Sequence, residues 1–182
     1  MPSKSKMDRN YKRYLAELYA NEARGCFASN DLDLFSMDSD NDKKKSETNK
    51  EDVICKLAKI VQKFRGKLER DEEGSGTRIK KTAREGFTIY YKEPIDYLDV
   101  LYELGHAFLD LNKMRVGDVK YCGGADDFDG TVGLFARSFA MPRKDFERIA
   151  IEFNKDVDRI ARYFDIDYFQ AYQRGIDIDI WI

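Results

Sequence analysis

The chain has 182 residues, 42% hydrophobic and 13% aromatic, with a net charge of −2 at pH 7. That length supports one sizeable core in a compact domain, and Cys26, Cys55 and Cys122 form no C-x-x-C pair, which argues against a disulfide framework and a cysteine zinc site. The basic N-terminus is followed by no apolar segment, and no run approaches the length that crosses a bilayer, so a cytoplasmic protein without membrane association is expected.

Charge is unevenly placed. Residues 1–94 carry 21 Lys and Arg against 17 Asp and Glu, whereas residues 95–182 carry 11 against 17. An acidic half suits a basic partner and a basic half suits phosphates; a soluble, charge-rich surface gives the same numbers.

Apolar residues Tyr11, Tyr14, Leu15, Leu18 and Tyr19 recur at helical spacing over 8–23. Their interleaving with Arg9, Lys12 and Arg13 suits RNA stacking, or simply a basic outer face. Residues 36–50 hold almost nothing that would order them in a core and read as a mobile linker. The chain therefore divides into an N-terminal helix plus linker, 1–50, and a domain, 51–182. A second helix over 51–64 buries Val53, Ile54, Leu57, Ile60, Val61 and Phe64 and presents Lys56, Lys59 and Lys63 on its other face. Gly66 lies near its end.

A turn at 72–76 leads to strands over 77–82 and 87–91. Arg78, Lys80, Lys81 and Arg84 suit phosphate contact on this hairpin, or are solvated strand residues. A helix over 95–111 follows, with Leu98, Leu101, Leu104, Phe108 and Leu111 on one side. Short helices are expected near 130–140, 143–153, 156–163 and 167–174. The end, 176–182, alternates Ile and Asp like a strand with one apolar face, suited to a homodimer contact, to a partner, or to packing on its own core. The class is α+β, with helices around a small sheet.

Tyr102-Glu103-Leu104-Gly105-His106 has the form of H-E-x-x-H with its first histidine replaced. The intact motif places two histidines on one helix face to bind zinc, and its glutamate activates the metal-bound water. His106 is the only histidine in the chain, and neutral tyrosine is a poor zinc ligand.

With Gly86-Phe87-Thr88-Ile89-Tyr90 before it and Phe135-Ala136-Arg137-Ser138-Phe139-Ala140-Met141-Pro142 after it, this segment resembles the ImmA/IrrE family of zinc peptidases over roughly residues 86–176. The family's members cleave repressors of mobile elements or damage-response genes. The resemblance implies a third ligand, a glutamate, at a position held here by Thr131. Two of three ligands are thus absent, and ordinary zinc peptidase chemistry is not expected.

Three readings of the remaining residues stand. A divalent ion could be held by His106 and Asp110 with Asp126, Asp127 and Asp129, although aspartates before Gly130 also serve as helix caps. Asp99, Tyr102, Glu103 and His106 lie on adjacent helical turns and suit metal-free proton transfer, for instance the removal of a proton from an RNA 2′-hydroxyl. Otherwise His106 is a hydrogen-bonded relic. The family context points to mobile elements, and a host-interference protein is expected: an anti-CRISPR inhibitor of Cas9 or its guide-RNA complex, with an antirepressor or divergent metallopeptidase acting on a helix-turn-helix repressor as the alternative.

Overall fold

A computed structural model describes residues 4–25, 48–74, 76–81, 86–111 and 125–181. Their elements are α1 (Lys4–Gly25), α2 (Thr48–Lys63), β1 (Gly66–Arg70), β2 (Arg78–Lys81), β3 (Phe87–Tyr91), α3 (Tyr97–Leu111), α4 (Ala125–Ala140), α5 (Arg143–Glu152), α6 (Val157–Phe164) and α7 (Tyr168–Asp177). The class is α+β, as expected. Two compact units divide these elements, one with α2, β1–β3 and α3, the other with α1 and α4–α7.

In the sheet unit the strand order is β1-β3-β2. β3 is central, parallel to β1 and antiparallel to β2. The composition Phe-Thr-Ile-Tyr-Tyr suits a strand buried on both faces, and Phe87, Thr88, Ile89 and Tyr91 are buried. α2 inserts Leu57, Ile60 and Val61, and α3 inserts Leu98, Leu101, Leu104 and Phe108, much as the periodicity predicts. Phe64 meets Phe108 edge to face at 5.3 Å and ties α2 to α3. Gly66 is required at the start of β1 because a Cβ there would lie 2.3 Å from the Phe87 ring.

β1 is absent from the sequence reading, since Gly-Lys-Leu-Glu-Arg offers a single large apolar residue and no alternation. Its pairing with β3 supplies what its side chains do not. α2 begins at Thr48, so residues 48–50, assigned above to the linker, are helical; residues 36–47 lie outside the described segments.

In the helical unit α1 packs on α4. Arg13 of α1 donates to the Ile176 carbonyl at 3.1 Å and pairs with Asp179 at 3.0 Å. The first helix is therefore part of this unit's core, where Leu15, Ala16, Ala20 and Ala23 are buried. The centre is Arg174, with a side chain only 1% exposed. It donates to the Met141 carbonyl at 2.9 Å and to Ser138 Oγ at 3.0 Å, and it pairs with Glu17 at 2.5 Å. Arg137 pairs with Asp177 at 2.7 Å alongside. A buried guanidinium is tolerated only with such partners.

The strand expected over 176–182 is not formed. Ile176 and Asp177 complete α7, Asp179 takes a left-handed φ of 62°, and the Ile180 N–H reaches the Gly175 carbonyl at 2.8 Å. With the Asp179 N–H on the Ile176 carbonyl, this is a Schellman helix end. The same ending closes α5 through Asn154 and Lys155, and α6 through Asp165. None of the three has glycine at the left-handed position, so the usual stop signal is missing from the sequence. The turn folds Trp181 back over α7, stacked on Tyr172 at 6.3 Å and edge-on to Phe146 at 6.2 Å.

Trp181 fits there because Gly175 has no side chain: a Cβ would sit 1.9 Å from the indole. Gly175→Ala is expected to lower stability by about 1–3 kcal/mol through overpacking. Urea denaturation followed by the fluorescence of Trp181, the only tryptophan, measures this, with a red-shifted native emission as the second sign.

Candidate functional site

α3 carries Asp99, Tyr102, Glu103 and His106 at helical spacing, so its apolar side against the sheet leaves these four polar residues on a common flank. Asp99 is exposed and the other three are half-buried. The Tyr102 and His106 rings meet edge to face, 4.9 Å between centroids and 80° between planes. Tyrosine at the first ligand position thus packs against the remaining histidine.

α3 packs on β2 and β3. β2 is an edge strand, and edge strands carry N–H groups with no strand partner. The Glu103 carboxylate accepts the N–H of Ile79 on β2. Burial, and next the negative charge of Asp99, raise the Glu103 pKa above the ordinary carboxylate value, while the Ile79 bond opposes them. Asp99 is raised as well, first by desolvation and then by Asp96. These carboxylates keep their protons to higher pH than free ones, a property suited to proton transfer and equally to quiet packing.

The donor set does not fit zinc. Tyr102 occupies one ligand position, and Thr131, at the position where the resemblance puts a glutamate, is a buried residue of α4 with no charge to give. Among the described residues no three His, Cys, Asp or Glu side chains are grouped to hold a metal ion. The side chains of Asp110, Asp126, Asp127 and Asp129, named for a divalent ion, lie outside what is described.

The basic residues fall on two elements of the sheet unit. Lys56 is half-buried, and Lys59 and Lys63 are exposed, on the face of α2 away from its apolar stripe. Arg78 and Lys80 are exposed and alternate with Ile79 on β2. Arg78 is already engaged: it pairs with Asp71 and lies over the Tyr90 ring at 5.2 Å. Asp71 also accepts the N–H groups of Glu73 and Gly74, which builds the expected turn. The side chain of Lys81 and all of Arg84 lie outside the described residues. Cys55 is an exposed free thiol.

Sequence reasoning missed the Glu103 partner because a backbone N–H leaves no trace in side-chain pattern. It also missed Arg174, which has no motif around it. The 135–142 segment that carries the family resemblance proves to be core: Phe135, Phe139 and Met141 are fully buried, and Ser138 and Met141 receive Arg174.

No family model matches the sequence, and no curated protein matches it. Among solved structures, a Mycobacterium tuberculosis transcriptional regulator is similar over 89% of this chain and 45% of its own, with 14% identity and a TM-score of 0.53. The chain thus spans under half the length of that regulator, and the likeness is one of fold. No helix among the described residues is long and apolar enough to cross a membrane.

A raised carboxylate pKa in the folded state means that the folded chain binds the proton more tightly than the unfolded one. Its stabilisation is complete below the unfolded pKa and is lost as pH rises through the folded value. Glu103→Gln keeps an oxygen for Ile79 and removes the charge beside Asp99. Urea titrations at pH 4 and pH 7 should therefore show the variant gaining stability over wild type on going to pH 7; an offset independent of pH contradicts the buried-carboxylate assignment.

Proposed function

We propose that the chain is a host-interference protein built on a degenerate ImmA/IrrE-like scaffold, and that it acts by binding. The target that its chemistry fits is a nucleic-acid-loaded host factor, with Cas9 carrying its guide RNA as the specific candidate. The observation that carries this reading is the lysine face of α2: Lys59 and Lys63 stand exposed one helical turn apart, with Lys56 on the same flank. Such a row neutralises phosphates without reading sequence. Lys80 adds a charge on β2, while Arg78 contributes only by leaving Asp71.

Support from α3 is of the opposite kind. Its polar residues serve packing, with Tyr102 against His106 and Glu103 on Ile79. Hydrolysis would require a nucleophile or a metal-bound water beside Glu103, and the ligand set for the latter is broken. Metal-free, RNA-directed proton transfer by Glu103 and His106 is the catalytic reading that competes with this proposal.

A second reading is an antirepressor, or a divergent metallopeptidase, directed at a helix-turn-helix repressor. The fold likeness to a transcriptional regulator favours it. The two differ in what they hold. Gel filtration with purified Cas9, with and without guide RNA, should show co-elution that weakens as salt is raised. Lys56→Glu, Lys59→Glu and Lys63→Glu together should weaken it at least about tenfold, since every phosphate left without its lysine lowers affinity. Co-elution with a repressor and none with Cas9 would favour the second reading.

A further inference from the structure

The helical unit contains a cleft of ≈ 710 Å³, within the range of about 300–1,000 Å³ typical of small-ligand sites. Its walls come from α1, from the first turn of α5 and from the end of α7. Most of its charges are spent within the protein. Arg13 is paired with Asp179, Asp177 with Arg137, Glu17 with Arg174 and Arg143 with Glu147.

Two cations on these walls have no carboxylate partner among the described residues. Arg24 is largely buried; it donates to the Phe139 carbonyl and lies over the Phe139 ring at 5.6 Å, yet it contacts no carboxylate among the described residues. Asp145 acts on it only at a distance, and burial lowers its pKa. Lys144 is exposed on the same cleft. A part-buried guanidinium whose described partners are a carbonyl and a ring, with no carboxylate among the described residues, is a favourable place for an oxyanion, and its planar fork matches phosphate. The first turn of α5 beside them has no side-chain cap.

The remaining wall is of a different character. Tyr14 is 62% exposed and lines the cleft, and Asn21 is exposed with an amide that both donates and accepts. Exposed aromatic faces of this kind hold planar heterocycles by stacking. Asp145, Asp177 and Asp179 also line the cleft and limit how much negative charge a ligand can bring.

We propose that this cleft binds a small phosphomonoester joined to a planar ring, of nucleoside monophosphate size, with Arg24 and Lys144 on the phosphate and Tyr14 under the ring. No bond is made or broken in this binding.

Titration calorimetry on the full chain tests it, with the four ribonucleoside 5′-monophosphates, the matching nucleosides and triphosphates, and inorganic phosphate as probes. At least one monophosphate should bind about tenfold or more tighter than its nucleoside, its triphosphate and phosphate alone. Arg24→Gln should abolish this preference. Lys144→Gln alters an exposed residue, so it tests the site without disturbing the core, and it should weaken the monophosphate several-fold. Tyr14→Ser should weaken the monophosphate while leaving phosphate unchanged. Absence of monophosphate binding by the folded wild-type chain, tighter binding of triphosphate, or monophosphate affinity unchanged in Lys144→Gln would overturn the proposal.

Discussion

The burial of Glu103 beside Asp99 is the constraint on which the sheet unit's chemistry depends. It sets a carboxylate of the motif helix close to β2, whose Ile79 backbone N–H favours the charged form. Burial and Asp99 make the charged form of that glutamate expensive, and the Ile79 bond partly offsets the cost. Beside it Tyr102 and His106 are closed on each other as an aromatic pair. A helix whose motif resembles a zinc site thus meets its polar demands from within the protein.

The helical unit solves a related problem with a different residue. Arg174 is almost wholly buried and bridges the end of α4, through Ser138 and the Met141 carbonyl, to Glu17 of α1. Its burial lowers its pKa, while Glu17 and then Asp177 pull it back up. Removing one partner of such a group costs far more than the net stability the group supplies, because the other charge is left buried. The helices are consequently locked by a specific polar geometry as well as by apolar packing around Phe135, Phe139, Phe146 and Phe164.

Much of the fold is legible in the sequence where apolar spacing is strong. The stripes of α2 and α3, strand β3 and three of the four C-terminal helices stand within a few residues of their expected places, whereas α4 begins at Ala125, ahead of the expected start near 130. What was illegible has identifiable causes. β1 depends on its neighbour more than on its own side chains. The 176–182 run imitates a strand because Ile and Asp alternate across a helix end whose left-handed residue is Asp179 instead of glycine. The candidate site is legible as residues but not as contacts: spacing places Tyr102, Glu103 and His106 together, whereas the burial that dominates Glu103 and the opposing Ile79 N–H come from tertiary packing and the backbone. Arg78 looked available for phosphate because Asp71, seven residues earlier, gives no sign in the sequence that it will fold back to meet it.

The central claim is that Glu103 and His106 serve structure while the protein acts by binding. The most direct measurement is a titration of guide-loaded Cas9 cleavage with the wild-type chain and with the Glu103→Gln, His106→Ala double variant, with the guide RNA recovered and sized at each point. Binding predicts equal, stoichiometric inhibition by both proteins and a guide of full length. Inhibition by wild type at substoichiometric amounts, with a shortened guide that the double variant leaves intact, would contradict it.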